Sequence, residues 1–163
     1  MIKKRLFGLA AMFLLLAFPV SAFMVSVLVV ETGLSEEASS MPYAGLWEGG
    51  LMDAFFDAGH IVTNSPAARM EKKPSQIFTG FLEEDYNDAV SGGAEYFILC
   101  FLEYQNRGGV VSPVRMDLKL YKTDSRRLVY EQNFPVGSGK NNDEEFQLAK
   151  KAGLTIISQI KDK

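Results

Sequence analysis

Glu83, Glu84, Asp85 and Asp88 crowd four carboxylates into six residues, and Asp143, Glu144 and Glu145 repeat the pattern near the C-terminus. Two carboxylates facing each other across a cleft can divide the acid and nucleophile or base roles of glycoside hydrolysis. At the start of a helix the same residues instead meet the positive end of the dipole and face water, which is the role expected of both clusters. Neither has the spacing of a calcium loop. Gly137-Ser138-Gly139-Lys140 has the small residues that let backbone N–H groups approach a phosphate. It lacks the full Gly-x-x-x-x-Gly-Lys-Ser/Thr pattern and follows a hairpin strand, so no nucleotide site is expected.

His60 is the only histidine and Cys100 the only cysteine. A metal site of several imidazoles, a Cys-x-x-Cys pair and an intramolecular disulfide are therefore excluded. His60 follows Gly59 at a helix end, where an imidazole can interact with the negative end of the dipole. General-base work needs a positioned partner, and none is indicated. Cys100 sits inside the run Tyr96-Phe97-Ile98-Leu99-Cys100-Phe101-Leu102 and is expected to be a small buried hydrophobe. No catalytic residue, cofactor or metal is predicted. What remains is binding: Tyr43 and Trp47 near the start of the first helix as aromatic anchors, and the hairpin face carrying Arg115, Lys119, Tyr121, Arg126 and Arg127. The expected role of Trp47, with Phe55 and Phe56, is nevertheless a helix stripe in the core, and that of the hairpin face an ordinary solvated strand face; the binding roles are the alternatives.

The elements that must hold these residues follow from hydrophobic period. Phe23 to Val30 is apolar and β-branched, a strand buried on both faces. Glu31 to Ser40 is a polar loop. Pro42 suits a first helical turn with Ser40 as cap, and Trp47, Leu51, Phe55 and Ala58 recur at helical spacing up to Gly59. Gly49 and Gly50 weaken that helix, so it must lean on tertiary packing. Ile61-Val62-Thr63 is a short strand, and 67–81 a connector or irregular helix. Leu82 to Ser91 is helical, stopped by Gly92-Gly93, and Ala94 to Tyr104 is the strongest strand and central. Met116, Leu118 and Leu120 alternate with polar residues, a period of two that marks an antiparallel strand with one wet face. Thr123 to Arg126 turns the chain into Leu128 to Phe134. Asp143 can cap a last helix with Phe146, Ala149, Gly153, Ile156 and Ile160 as its buried stripe. The predicted fold is α/β with α+β character: a single mixed sheet of about five strands packed by three helices, in the order β-α-β-α-β-β-β-α, with the last hairpin antiparallel.

Ahead of this domain, Lys3, Lys4 and Arg5 precede the apolar run Leu6 to Phe18, then Pro19 and the small-residue end Val20-Ser21-Ala22. That is the three-part order of a secretory signal peptide, so residues 1–22 are expected to be cleaved and residues 23–163 to form one α/β domain, periplasmic or secreted. If uncut, the apolar tract Leu6 to Val30 is long enough to anchor the chain in the inner membrane. No cysteine lies just after the apolar run, and no lipid anchor is expected. Removal of the signal leaves 14 of the 17 basic residues against all 20 acidic ones, a net charge of −6. Such a surface does not favour nucleic acid or an anionic membrane.

Three segments together resemble a known periplasmic fold: Gly50 to His60 as a helix leading into a short strand, Ala89 to Ile98 as a helix, Gly-Ala corner and central strand, and Met116 to Asp124 with Leu128-Val129-Tyr130 as a hairpin. The set is similar to the small α/β domain shared by outer-membrane lipoprotein activators of penicillin-binding proteins, the curli-secretion lipoprotein and the N-terminal domain of the Tol-system propeller protein. The resemblance runs from about Met24 to Ile160 and implies that fold and an envelope setting. The expected function is a non-enzymatic protein-interaction module docking onto an envelope protein or assembly. The alternative is a small exported enzyme or ligand binder using the acidic residues near Glu83 and a pocket beside the loop from Glu31 to Ser40.

Overall fold

The structure, a computed structural model, describes residues 22–34 and 43–161. The signal segment up to Ser21 and the helix-start residues Ser40 and Pro42 lie outside the described residues.

Strand β1 (Met24–Thr32) is the axis of the sheet. It has parallel neighbours on both sides and helices over both faces, so every second residue faces a different apolar layer and all of Val25 and Val27 to Val30 are fully buried. This is why its sequence is apolar without alternation. Helix α1 (Tyr43–Asp57) leads to β2 (Ile61–Asn64). After Pro66 interrupts the chain, β3 (Ala68–Met70) resumes along the same edge of β1. Helix α2 (Phe81–Ser91) is followed by the central strand β4 (Tyr96–Arg107), then β5 (Val110–Lys122), β6 (Arg127–Pro135) and helix α3 (Asn142–Lys161).

The sheet runs β2-β1-β4-β5-β6 with β3 beside β1, so it has six strands and not five. The sixth is β3, inside the stretch 67–81 expected as a connector or irregular helix: three residues carry no readable period, and only pairing with β1 defines them. The β1 contacts are parallel, while β4 to β5 and β5 to β6 are antiparallel.

Helices α1 and α3 share one face. A Cβ built on Gly50 would lie 2.6 Å from both the Ala149 Cβ and the Phe146 carbonyl oxygen, and one on Gly153 would lie 2.6 Å from the Ala54 Cβ. The glycines that weaken α1 as an isolated helix are thus what lets α3 reach it. Asn141, rather than the expected Asp143, caps α3: its Oδ1 accepts the Glu144 N–H at 2.9 Å, the contact an N-cap side chain makes three residues on.

The other face holds α2 and the irregular segment 71–80. Phe78 meets Tyr86 and Tyr121 edge-on at 4.7 and 5.0 Å, and Tyr86 meets Phe97 at 5.5 Å. No described helix is long and apolar enough to cross a membrane.

Candidate functional site

Where β1 ends, its last carboxylate points into the layer between sheet and α1. Glu31 and Arg69 are register partners on β1 and β3. Arg69 donates to Glu31 Oε2 through Nη2 at 2.9 Å and Nε at 3.3 Å, and the Tyr104 hydroxyl on β4 donates to Oε1 at 2.8 Å. The Glu31 side chain is only 8% exposed. Gly33 closes this corner: its φ of 82° lies in the left-handed region, and a Cβ there would stand 2.3 Å from the Tyr104 carbonyl oxygen. Only glycine lets β1 turn away so close to β4.

Beside this ion pair opens a cleft of about 620 Å³ lined by Glu31, Glu48, Arg69 and Glu71 with Leu34 and Ala44. It lies at the carboxyl ends of the parallel strands, where open α/β sheets place ligands. Burial, and next the hydrogen bond to and charge of Glu31, hold the Tyr104 hydroxyl well above its ordinary pKa, so it stays a proton donor to the carboxylate. With three donors on its two oxygens, Glu31 is occupied as an acceptor and serves as a clamp between β1, β3 and β4.

The other chemistry-bearing residues are likewise engaged inside the fold. Glu145 is 1% exposed; its Oε1 accepts from Trp47 Nε1 at 2.9 Å and Gly137 N–H at 3.0 Å, and its Oε2 from Gly139 N–H at 3.1 Å. Lys140 N–H donates to Glu144 at 2.9 Å. The glycine-rich loop therefore does gather N–H groups around an anion, and the anion is the chain's own carboxylate. His60 is buried and stacked on Phe23 at 3.7 Å, with Phe55 at 6.0 Å. Burial pushes the Cys100 thiol far up, as suits a core residue. Glu83 pairs with Arg126 at 3.1 Å on the α2 face, away from the Glu31 cleft. Among the described residues no group of three or more His, Cys, Asp or Glu side chains could hold a metal ion.

The expected binding residues separate across the sheet. Tyr43 is half-buried on α1, and Trp47, 1% exposed, is in the core with its indole N–H on Glu145; it is not an exposed anchor. On the α2 side, Tyr121 is 5% exposed beneath Phe78, and Asp117, on the same strand face, is 5% exposed beneath residues 71–80. The wet face expected of β5 is thus dry over this stretch, because period two reports which residues share a face and not whether an irregular segment covers it. Lys73 pairs with Asp117 Oδ2 at 2.6 Å, and Arg115 stands 3.1 Å from Oδ1 and 2.9 Å from Glu103. Lys119 pairs with Glu131. Arg126 covers the rings of Phe78 and Tyr86 at 5.4 and 5.1 Å. Arg127 is exposed on the α3 side, near Tyr130 and Ile160. The Glu31, Arg69 and Tyr104 cluster had one sequence signal, an acid closing an otherwise apolar strand. Its partners became visible only with β3.

No protein-family model and no curated protein sequence matches the chain. Solved structures do. A point variant of the PelC dodecamer from Paraburkholderia phytofirmans is 14% identical with a TM-score of 0.51, over 82% of this chain and 87% of that one. TolB from Acinetobacter baumannii is 13% identical with a TM-score of 0.41, over 88% of this chain but 28% of TolB. The C-terminal domain of LpoB from Salmonella enterica is 15% identical with a TM-score of 0.37, over 77% of this chain and 90% of that one. The PelC match shows that the chain shares PelC's fold.

Proposed function

We propose that the chain is exported, loses residues 1–22, and acts in the cell envelope as a non-enzymatic protein-interaction module. The observation that carries this reading is the commitment of its chemistry-bearing groups to the fold: Glu145 holds the loop before α3, Glu31 clamps three strands, and His60 is buried and stacked on Phe23. PelC, which shares the fold, was solved as a dodecamer, an assembly built from contacts between polypeptides. The expected partner is an envelope protein or assembly.

Mass spectrometry of the exported protein is expected to find an N-terminus at Phe23; an intact Met1 terminus would replace export by membrane anchoring. Photo-crosslinking residues placed at exposed positions over the whole surface are expected to give discrete crosslinked species from a few neighbouring positions. Absence of crosslinks at every position would overturn the module reading.

A second reading is favoured by the cleft beside Glu31: a small exported enzyme or ligand binder. If the purified protein turned over or bound a small molecule, and Glu31→Gln abolished this while keeping the melting temperature within a few degrees, this reading would take precedence.

A further inference from the structure

We propose that the outer edge of β2 pairs antiparallel with β2 of a second copy of this chain, about a two-fold axis at Thr63, so that two sheets join into one. This dimer goes beyond the interaction-module reading and does not depend on it.

Strand β2 ends the sheet opposite β6, and among the described residues β1 is its only strand neighbour. Its register is unbroken, from Ile61 opposite Met24 to Asn64 opposite Val27. The Ile61 N–H donates to the Phe23 carbonyl at 3.0 Å and the Ser65 N–H to the Val27 carbonyl at 3.1 Å. Residues 61, 63 and 65 therefore bond inward to β1, and by the alternation of a parallel ladder Val62 and Asn64 hold their N–H and C=O groups outward. On one side of this pair the His60 N–H is taken by the Phe55 carbonyl at 3.0 Å, and on the other Pro66 has no N–H. A partner of the same sequence fits two such residues spaced by one. With Thr63 opposite Thr63 of the second copy, each Val62 faces the second copy's Asn64, and each of these pairs exchanges both of its backbone hydrogen bonds. This register uses every outward group on both edges.

The surroundings are suited to burial. Edges that must stay single are commonly blunted by charge, yet Ile61-Val62-Thr63-Asn64-Ser65 carries none. Helix α1 packs on β1 and β2. Its Gly50 and Ala54 meet α3, and Asp53 and Asp57 are tied to Lys150 there. Glu48, Met52 and Phe56, spaced by four, share another side of the helix. The Asn64 side chain donates to Glu48 at 2.9 Å, which fixes that side as the one beside β2. Phe56 and Ile61, 72% and 55% exposed, thus border the same edge.

Symmetry also disposes of the charge on this stripe. Glu48 lies by Asn64 on one side of Thr63, and Phe56 lies on the other, where its carbonyl accepts the Gly59 N–H at 2.9 Å. Rotation about Thr63 sets Glu48 of one copy towards the Phe56 end of the other's helix and keeps the two Glu48 carboxylates apart. An acidic chain can meet itself here without opposing like charges.

Thr63→Cys provides the test. Cys100, the only native cysteine, is buried, so the new thiol is the one that solvent reaches. Thr63 and its counterpart would form a non-hydrogen-bonded pair with Cα atoms about 4.5 Å apart, within disulfide reach, whereas two Asn64 positions would stand about 8 Å apart and beyond it. The purified exported Thr63→Cys protein is expected to form a disulfide-linked dimer on mild oxidation at least tenfold faster than Asn64→Cys. In the unsubstituted protein, hydrogen exchange across residues 61–65 is expected to slow, and the sedimenting mass to rise towards that of a dimer, between about 10 μM and about 1 mM chain. Ile61→Lys, an exposed change checked by an unaltered melting temperature, places a charge on the edge and is expected to slow crosslinking of Thr63→Cys at least tenfold. Equal crosslinking at positions 63 and 64, or a monomer with unchanged exchange at about 1 mM, would overturn the proposal. So would protection of 61–65 by a different envelope protein with no dimer at any concentration, which would give the edge to that partner and leave the module reading intact.

Discussion

On the α1/α3 face the sheet is covered by two helices that meet through Gly50, Ala54, Ala149 and Gly153 and are locked to the preceding loop by the Glu145 carboxylate. On the α2 face a single helix covers part of the sheet, and residues 71–80 cover the rest with Phe78, the Lys73 and Asp117 pair, and Arg126 laid over two rings. The first closure depends on the absence of side-chain atoms, so steric additions are its weakness. The second is built from side chains that half-exposed backbone brings in, so truncations loosen it locally. Burial by regular elements distributes strain through a whole helix, whereas an irregular segment can open without the rest of the fold.

The change expected to break this contrast most severely is Gly50→Val. Its Cβ alone would stand 2.6 Å from the Phe146 carbonyl oxygen and 2.9 Å from the Lys150 nitrogen, backbone atoms that cannot swing aside. A loss of about 3 kcal/mol or more is expected, at the upper end of overpacking costs, read as a lower urea midpoint. A loss within experimental error would show that α3 slides freely and that the two faces are alike.

Glu145→Ala comes next. It strips the partner from the Trp47 indole N–H and from two loop N–H groups. Unsatisfied buried donors cost about 1–3 kcal/mol, and Trp47 fluorescence is expected to change with the melting temperature. Glu145→Gln, which keeps an acceptor oxygen, is expected to cost less.

Phe78→Ala tests the other face. Because Phe78 is half-buried, the expected loss is about 1–2 kcal/mol, below that of a fully buried ring. Hydrogen exchange is expected to rise in 71–80 and at Tyr121 while α1 and α3 keep their protection. Equal acceleration on both faces would mean that the segment is part of the global cooperative unit.

The smallest effect at neutral pH, and a diagnostic one in alkali, comes from Tyr121. Burial first, and then Glu131, push its hydroxyl up to about 12 from the usual 10.0. A folded-state pKa above the unfolded one contributes stability that is whole below pH 10 and is lost as pH rises from there towards 12. Tyr121→Phe is expected to leave stability at pH 7 nearly unchanged and to make the fall between pH 10 and 12 shallower, as followed by denaturant titration at each pH.

How far the architecture was legible depends on how many residues vote for each element. β1 and the first half of β4 are largely apolar, α1 and α3 carry several turns of a 3.6 stripe, and the second hairpin has its turn residues, so these boundaries lie within a few residues of those observed, whereas β4 runs on to Arg107 and β5 begins at Val110, six residues before the first alternating residue Met116. β3 has three residues and no pattern. The cap of α3 was misplaced by two positions, because Asn141 and Asp143 have equal cap chemistry and only the backbone path selects between them. An aromatic at the right period can serve either core or interface; Trp47 takes the core place that its helical spacing predicts, Tyr121 is buried instead of facing water, and the neighbours responsible are 98 residues away for Trp47 and 43 for Tyr121.

By itself, the sequence determined the α/β class, the order of the long elements, the exclusion of disulfides and imidazole metal sites, and the expectation of export, since each rests on composition or on contacts within one turn or strand. Only the tertiary structure decided that the glycine-rich loop holds Glu145, that Glu31 is clamped by Arg69 and Tyr104, and that Phe134 of β6 packs beside Trp47. These depend on which residues meet after distant segments pack, and the energy of a carboxylate is set by those neighbours rather than by its place along the chain.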